Sequence, residues 1–499
     1  MMRRAASLVA VAALASGVAA ASAGSRAAAT PGRVLFTDAT SGPVRGGPGG
    51  LGTPITIYGV GFGRAQGRST VTIGGRPVAR VLEWSLRSAA GDRLDRIVVQ
   101  PGPGIRAGRI AVRVGGRVLG GQATFTPTLG RIRVVAPSGV DAAACVPARP
   151  CATIQHVVDK VLRPGDVLLV RGPVIADDEV WIRPGAGGKP GRPKAILAYP
   201  GERPAFAGVA RPLIVEGSHV TVAGLTFPGG KGVVAGADAS REIRVVGNTF
   251  RGALGYDAVG THGRDIVVAG NDCTADGSTV GTQGHCFYIS NGSRIRLLYN
   301  VGRGVPGYGI HVFDQQRAAG EARRVISDVL IEGNLLASSS ERSGLILAMG
   351  DEGGRGNHIR GVVIRDNVLT GNNHAGLVIG ERVSEVIVEH NTFWANGRQG
   401  ISVADHASVS GIRITRNLLV QPANGPCRSN CSWYDRAHLQ LGVAARAVKV
   451  RDNWYAPDRV LIGARDTKAR VGEVRLADPA HTARITGASP AAAYGARRP

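Results

Sequence analysis

Short runs of alternating apolar and polar residues, each closed by an asparagine, recur between residues 241 and 455. In IRVVGNTF, VLIEGNLL and VIVEHNTF, a β-branched run ends in Asn and a second short apolar segment follows. The recurring asparagines are Asn248, Asn271, Asn300, Asn334, Asn367, Asn391, Asn417 and Asn453. Successive ones are 23 to 36 residues apart, so one unit spans about two dozen residues plus insertions. A repeat of this period built only from strands predicts a solenoid.

The asparagine itself indicates a sharp turn in each coil. Asn tolerates a left-handed backbone, and its side-chain amide can bond to the equivalent amide one coil above and below. In this feature residues 131–490 resemble the right-handed parallel β-helix of the pectate lyase-like superfamily. The resemblance implies an all-β solenoid with an inner asparagine ladder and a substrate groove along one strand face. No segment matches the arginine-containing signature of pectate lyases or the aspartate-rich motifs of polygalacturonases, so no catalytic residue is carried over by motif.

Three segments precede the solenoid. Residues 1–23 combine two arginines with an apolar, alanine-rich stretch and an A-x-A site, which predicts a secretory signal peptide and an extracytoplasmic protein. Residues 24–49 are rich in Gly, Ala, Ser and Pro and are predicted to be a linker. Residues 50–130 hold short alternating strands between Gly and Pro turns, which predicts a small β-sandwich. Within it, TPITIYGVGFG resembles the immunoglobulin-like IPT/TIG module, which implies spacing or binding rather than chemistry.

A single amphipathic helix is predicted near residues 153–162. The apolar residues of ATIQHVVDKVL fall on one helical face, and Thr153 is a suitable N-cap. Such a helix would cover the apolar interior of the first coil, which is otherwise open to water. Residues 491–499 are predicted to be a C-terminal tail.

The charge and composition of the chain restrict its partners. A formal net charge of +24 favours a polyanion. The basic residues are mostly arginines, dispersed without long runs or interleaved aromatic residues, which argues against nucleic-acid binding. No segment beyond the signal peptide reaches the ~18 uninterrupted apolar residues that a membrane span needs. An extracellular polysaccharide of acidic character is therefore the favoured partner, while the oligomeric state is not predicted.

The cysteines fall into three close pairs, which local loop closure favours as disulfides in an oxidising compartment. These pairs are Cys145–Cys151, Cys273–Cys286 and Cys427–Cys431. A zinc site is the weaker alternative, because no pair belongs to a set of CxxC motifs.

Aligning the repeats on the glycine of the second strand gives an inside and an outside to each strand. The outward column is Tyr288, His311, Ile346, Val378 and Ser402. A polysaccharide lyase needs a base for the proton α to a uronate carboxyl and positive charge to stabilise the enolate. His311, next to Tyr288, is the candidate base or acid. His285 and His374 precede the strand glycines and rank lower.

Carboxylates at the strand ends supply the other catalytic candidates. Adjacent coils are ~4.8 Å apart, so Asp314 with Asp351, or Glu381 with Asp405, would form a close pair suited to a retaining glycosidase or to calcium. Asp314 and Glu381, two coils apart at ~9.6 Å, approach an inverting pair. Insertions at the same edge add candidate substrate-binding residues. These are Gln315, Arg317, Arg355, Arg382 and His406, with Trp394 as a residue that stacks on sugar rings.

The sequence therefore predicts a secreted protein that acts on an extracellular acidic polysaccharide in a groove along the β-helix. Cleavage by β-elimination is favoured slightly over hydrolysis. The alternative is a noncatalytic glycan-binding or surface-adhesion protein that uses the same groove. Calcium is the one cofactor that the carboxylates suggest.

Overall fold

The structure is a computed structural model of the protein. The structure describes residues 32–85, 94–142, 144–175, 177, 179–206, 212–229, 232–252, 256–275, 284–313, 324–349, 357–420, 436–442, 447–478, 484–486 and 489–497. The predicted signal peptide and the predicted Cys427–Cys431 pair lie outside these residues. No described helix is long and apolar enough to cross a membrane.

The N-terminal part is a β-sandwich of mostly antiparallel strands. Its strands are β1 (Arg33–Thr37), β2 (Ser41–Pro43), β3 (Ile55–Val60), β4 (Thr70–Ile73), β5 (Arg76–Pro77), β6 (Arg80–Ser85), β7 (Asp95–Gln100), β8 (Gly108–Val114), β9 (Arg117–Leu119) and β10 (Thr124–Thr128). One sheet has the order β1-β3-β7-β6, and the other has β2-β10-β8-β4-β5 with β9 on β8. The apolar faces of both sheets share one core that includes Ile57, Ile97, Ile110 and Phe125. The linker predicted over residues 24–49 is wrong in its second half, because β1 pairs with β3 and β2 pairs with β10.

From Ile132 to Val471 the described residues form a parallel β-helix with three faces. Face 1 contains β11 (Ile132–Val135), β12 (Val167–Val170), β15 (Lys194–Ala198), β18 (Val220–Ala223), β21 (Arg241–Val246), β28 (Val325–Glu332), β31 (His358–Arg365), β34 (Val383–Glu389), β37 (Ile412–Thr415) and β40 (Val448–Arg451). Face 2 contains β13 (Val174–Ile175), β16 (Ala205–Phe206), β19 (Thr226–Phe227), β22 (Thr249–Arg251), β24 (Asp272–Thr274), β26 (Val301–Arg303), β29 (Leu335–Ala337), β32 (Val368–Thr370), β35 (Thr392–Trp394), β38 (Leu418–Val420), β41 (Trp454–Tyr455) and β43 (Arg470–Val471).

Face 3 lies between face 2 of one coil and face 1 of the next. It contains β14 (Val180–Ile182), β17 (Leu213–Val215), β20 (Val233–Ala235), β27 (Ile310–Val312), β30 (Leu345–Leu347), β33 (Leu377–Ile379), β36 (Gln399–Val403), β39 (Ala437–Leu441) and β42 (Leu461–Ile462). Two long strands, β23 (Val259–Ala269) and β25 (Phe287–Leu298), turn the corner and serve both face 3 and face 1. A short antiparallel pair of strands, β44 (Leu476–Asp478) with β45 (Arg484–Ile485), follows the last coil of the β-helix.

The asparagine ladder is continuous from Asn248 to Asn453. In each step the Oδ1 atom of one asparagine accepts hydrogen bonds from the backbone N–H and the side-chain amide of the asparagine one coil before it. Asn334 Oδ1, for example, accepts from Asn300 N at 2.9 Å and from Asn300 Nδ2 at 3.0 Å. At the last step Asn453 donates both groups to the Asp466 carboxylate instead, at 3.1 and 2.8 Å. The ladder therefore confirms the predicted stack, and a carboxylate ends it.

The predicted reason for the asparagine is wrong in one respect. The left-handed backbone belongs to the residue before each asparagine and not to the asparagine itself. These residues are Gly247, Gly270, Tyr299, Gly333, Asp366, His390, Arg416 and Asp452, with φ between 53° and 70°. The asparagine is selected for its amide, since it is fully buried and its hydrogen bonds replace those that water would make.

The predicted helix closes the first coil. It consists of α1 (Ile154–His156), which continues as a π-helical turn over Val157–Val161. Thr153 is the N-cap, and its side chain accepts the His156 N–H at 3.3 Å. Ile154, Val157 and Val158 join the same apolar core as the interior of the β-helix. The helix thus keeps water from the end of the solenoid.

The sandwich packs directly on the outer side of face 1. Phe36 and Tyr58 stack at 4.9 Å and share an apolar cluster with Leu169 and Val246 of the β-helix. The half-buried Arg244 donates from its guanidinium to the Thr37 carbonyl at 2.7 Å. The C-terminal segment is also docked: Ala491 and Tyr494 pack on Leu418 of face 2, and Arg497 pairs with Asp366.

Candidate functional site

The outward column on face 3 has the register that the sequence predicts. Tyr288 pairs with His311, His311 with Ile346, Ile346 with Val378, and Val378 with Ser402. The flanking residues of each strand, such as Ile310 and Val312, point inward and are fully buried. His311 therefore projects from the outer side of β27, one coil from Tyr288.

Five rings gather around His311, and we call them the ring cluster: His285, Tyr288, Tyr308, His311 and Phe313. The centroid of the His311 ring lies 4.5 Å from that of His285, 4.7 Å from Tyr308, 5.0 Å from Tyr288 and 5.1 Å from Phe313. Ring stacking of this density excludes water from the imidazoles, so their neutral forms are favoured.

His285 is held as a neutral imidazole. Its Nδ1 accepts the backbone N–H of Tyr308 at 2.9 Å, which places the proton of the neutral ring on Nε2. Burial lowers its pKa to about 4, and the charge of Arg342 adds to the effect. The disulfide of the next residue, Cys286, to Cys273 fixes this part of the coil. The Cys145–Cys151 disulfide is present as predicted too.

His311 is half-buried, and its Nδ1 has no hydrogen-bond partner among the described residues. Burial lowers its pKa well below the usual value of 6.5, and His285 and Arg342 lower the pKa further. At neutral pH the imidazole is therefore uncharged and able to accept a proton. A bound anion would raise this pKa, because an opposite charge favours the imidazolium form.

A cleft of about 270 Å³ opens beside the ring cluster on face 3. Gly260 lies one coil before Tyr288 in the outward column. Because glycine has no side chain, the surface at this position is open, and the cleft begins there. A Cβ at Gly260 would lie 3.6 Å from Asp257 Oδ2, which places that carboxylate at the cleft. The other lining residues are Val233, Val234, Gly236, Tyr256, Thr261, His262, His285, Tyr288 and Ser290.

Basic residues form an edge next to the ring cluster. Backbone hydrogen bonds place Arg342, His374 and Arg398 on successive coils, from His374 N to Arg342 O at 3.2 Å and from Arg398 N to His374 O at 3.3 Å. We call these three residues the cationic edge. Burial lowers the pKa of His374 to about 4, and Arg398 and Arg342 lower it further, so the positive charge belongs to the two arginines.

Four of the predicted site residues, Glu381, Arg382, Asp405 and His406, lie in a separate group near the ends of β33 and β36. His406 Nε2 lies 3.8 Å from Glu381 Oε2, and Asp405 is exposed. Arg382, next in the chain, donates its backbone N–H to Ser408 Oγ at 2.7 Å. Glu381 is two coils and three residues from His311, which corresponds to roughly 14 Å for coil steps of about 4.8 Å and residue steps of about 3.3 Å. The structure therefore does not bring this group into the ring cluster.

Trp394 is not part of a groove on face 3. It lies on β35 of face 2, where it packs against the apolar clusters of the C-terminal segment. The remaining predicted site residues, Asp314, Gln315, Arg317, Asp351 and Arg355, lie outside the described residues.

Among the described residues, no group of three or more carboxylates lies close enough together to bind a calcium ion. Cys145, Cys151 and His156 are the one set of three His, Cys, Asp or Glu ligands close enough to share an ion, and the two cysteines are disulfide-bonded. The calcium hypothesis names Asp314 with Asp351, which lie outside the described residues, or Glu381 with Asp405, and it stays a prediction.

Among the neighbours of His311, sequence reasoning ranked His285 low and did not name Tyr308. His285 and Tyr308 come two residues before their strands and reach the cluster through turns, which strand alternation does not predict. The signal available was compositional, since GHCFY and GYGIH place a polar ring on either side of the strand start. His262 was also missed, although it lies two positions after Gly260 on the same outward face.

One family model matches the N-terminal part of the chain, and several solved structures are similar to the rest. The family model described as "IPT/TIG domain" matches residues 39–127. The chain is similar in structure to a rhamnogalacturonan lyase, with 15% identity and a TM-score of 0.37 over 69% of this chain and 87% of that one. It is also similar to the A-module of mannuronan C-5 epimerase AlgE4 from Azotobacter vinelandii, with 14% identity and a TM-score of 0.35 over the same shares.

A third similar structure is the pectate lyase Pel9A, with 14% identity and a TM-score of 0.31 over 69% of this chain and 79% of that one. No curated protein matches this chain. Sequence identities and TM-scores this low do not indicate which activity the protein has.

Proposed function

We propose that the protein cleaves an extracellular acidic polysaccharide by β-elimination in the cleft beside the ring cluster. The observation that carries the proposal is a neutral histidine, His311, which is packed among aromatic rings and lies within reach of the Arg342 charge. β-Elimination requires a base for the proton α to a uronate carboxyl, and it requires positive charge where the enolate develops.

His311 is the proposed proton-transfer residue. Its uncharged ring can accept a proton, and entry of a uronate carboxylate would raise its pKa toward neutrality. Tyr288, one coil away with its ring centroid 5.0 Å from that of His311, is the proposed acid for the leaving oxygen. Arg342, whose charge acts on both His285 and His311, is the proposed group that stabilises the enolate.

Two features of the chain support an extracellular role. The two described disulfides are stable in an oxidising compartment, and the first 23 residues have the composition of an export signal. A polyanionic substrate also suits the net charge of +24.

The test is an incubation of the purified protein with pectate, alginate and heparin, measured both by ultraviolet absorbance of unsaturated products and by reducing ends. We expect both signals to rise together on at least one polymer. Reducing ends without unsaturated product would indicate hydrolysis, and binding without either product would indicate the noncatalytic alternative. Either result would overturn β-elimination.

A steric variant tests the place of the reaction. Gly260→Leu adds a side chain to the outward column next to Tyr288 and fills the start of the cleft. We expect this change to raise KM or abolish cleavage. The matched control is Val378→Leu, three coils beyond Tyr288 in the same column, which should leave cleavage unchanged.

A further inference from the structure

Beside the ring cluster, three side chains of successive coils form a hydrogen-bonded chain. His262 Nε2 lies 2.5 Å from Asp238 Oδ1, and His262 Nδ1 lies 3.2 Å from Ser290 Oγ. Asp238 precedes β21, His262 lies on β23 and Ser290 lies on β25. A hydroxyl, an imidazole and a carboxylate are thus joined in the order that activates a serine nucleophile.

The backbone directs Ser290 toward His262. In the pairing of β23 with β25, Thr261 is opposite Ile289 and His262 is opposite Asn291, so Ser290 is an extra residue at a β-bulge. A bulge reorients a side chain locally and is frequent next to active sites. Both Ser290 and His262 line the 270 Å³ cleft, so a ligand in the cleft can reach the hydroxyl.

The carboxylate is ionised and fixed beside the imidazole. The hydrogen bond from His262 is the largest cause that holds the pKa of Asp238 below its usual value. The Asn291 amide donates to the same Asp238 oxygen at 3.2 Å, which restrains it further. With Nε2–H directed at Asp238, Nδ1 of His262 faces Ser290, whose single hydroxyl hydrogen is shared between this nitrogen and the Thr261 carbonyl at 3.1 Å.

We propose that Ser290, His262 and Asp238 hydrolyse acyl esters in this cleft, as a second activity that does not depend on the proposed polysaccharide cleavage. Ser290 Oγ attacks the acyl carbon while His262 Nδ1 takes its proton. The ester C–O bond breaks, and the same proton passes to the departing alcohol oxygen. Water then attacks the acyl-serine, again with His262 as the base, and releases the carboxylic acid and the free serine.

The cleft fits an ester of a sugar hydroxyl with a short acid. It is lined by polar residues and rings rather than by a long apolar wall, so an acetyl group is a better match than a fatty acyl chain. In the serine proteases Nε2 of the histidine faces the serine and Nδ1 faces the aspartate, whereas His262 uses Nδ1 for Ser290 and Nε2 for Asp238. The catalytic role of the histidine is the same, because one nitrogen still faces the nucleophile and the other faces the carboxylate.

The test measures hydrolysis of 4-nitrophenyl acetate and release of acetate from O-acetylated pectin by the full-length protein. Ser290→Ala should lower both rates at least about a hundredfold, since it removes the nucleophile. Ser293→Ala, on the same strand without a histidine partner, is the control and should keep the wild-type rates. A fluorophosphonate probe should add its mass to the peptide that contains Ser290.

A second variant keeps the proposal testable if Ser290→Ala fails to fold. Ser290→Cys retains a nucleophile of similar size, and its thiol should react with iodoacetamide faster than the thiol of Ser290→Cys combined with His262→Ala. Absence of acetate release by the wild-type protein, or wild-type rates in Ser290→Ala, would overturn the proposal. Because acetate and unsaturated uronate are different products, failure here is distinguishable from failure of the β-elimination proposal.

Discussion

The ring of His311 lies edge-on against the ring of His285, with their centroids 4.5 Å apart and their planes at 79°. Burial lowers the pKa of both imidazoles, and His311 is the one that faces outward in the column with Tyr288. We therefore expect His311→Ala to lower kcat for uronate cleavage by at least about a hundredfold, the usual contribution of a general base. Product absorbance under saturating substrate checks the value.

A matched histidine variant controls for that result. His156→Ala removes a histidine of the capping helix, at the N-terminal end of the solenoid, and should leave kcat unchanged. Equal rates for His311→Ala and the wild type would remove His311 from the mechanism.

Asp314→Ala is a separate prediction from the sequence. Asp314 directly follows Phe313 of the ring cluster and was predicted to share the groove with His311. We expect its replacement to abolish turnover while the thermal unfolding temperature stays within a degree or two of the wild type. Full activity of this variant would assign the chemistry to the described residues of the ring cluster alone.

The lowered pKa of His285 predicts a pH dependence of stability. Between pH 6.5 and about 4 the unfolded chain binds a proton that folded His285 does not. The free energy of unfolding should therefore fall as the pH decreases through this window, by about 3 kcal/mol from this residue, at about 1.4 kcal/mol per pKa unit. The groups that face His285 are Tyr288, Tyr308, His311 and Arg342.

Replacement of His285 by a residue that does not titrate tests whether this histidine causes the loss of stability at low pH. His285→Asn keeps an acceptor for the Tyr308 N–H but does not titrate, so its stability should change less between pH 7 and pH 5 than that of the wild type. Urea unfolding at the two pH values measures the difference. An unchanged slope would mean that other groups cause the loss at low pH.

The left-handed residue before each asparagine predicts two substitutions of opposite sign. Arg416 has φ of 54°, so Arg416→Gly should raise the free energy of unfolding by up to about 1 kcal/mol. Gly333 has φ of 70°, and a Cβ there would approach the Tyr299 ring to 2.4 Å. Gly333→Ala should therefore destabilise the protein by about 1–3 kcal/mol.

Arg413→Gly is the control for this pair, because Arg413 lies on the exposed side of β37 in an extended conformation. It should lower stability slightly, since glycine weakens a strand by about 0.5–1 kcal/mol. Stabilisation by Arg413→Gly as well as by Arg416→Gly would show that loss of charge, not backbone strain, is responsible.

The sequence predicted the parts of this protein that a period controls. The asparagine spacing gives the coils, and alternation around Ile310, His311 and Val312 assigns inside and outside correctly. The sequence pattern did not predict that Arg416, and not Asn417, adopts the left-handed conformation. The turn residue and the ladder asparagine are adjacent and recur with the same period, so the period cannot distinguish them. The ring cluster was only partly predicted for a related reason: His285 reaches it through a turn and a disulfide, not through strand alternation.

A short second ladder also escaped prediction. Asn372 donates its backbone N–H and its side-chain amide to Asn396 Oδ1 at 3.2 and 2.8 Å, at the turn after face 2. It spans few coils, so its spacing of 24 residues does not recur often enough to be recognised. Periodic patterns reveal an element only when the element itself is repeated.

The end of the main ladder provides the last prediction. Asn453 has no further asparagine to pair with, and the Asp466 carboxylate accepts its backbone N–H and its amide as well as the Tyr455 hydroxyl at 2.9 Å. Asp466→Ala removes the acceptor of the buried Asn453 N–H and of the Tyr455 hydroxyl, while the Asn453 amide keeps the carbonyls of Ile414 and Arg451. We therefore expect a loss of about 1–3 kcal/mol in the free energy of unfolding. Asp466→Asn keeps one acceptor and should lose less. Asp458→Ala, which removes an exposed carboxylate nearby, is the control, and a loss as large as that of Asp466→Ala would show that the ladder needs no carboxylate at its end.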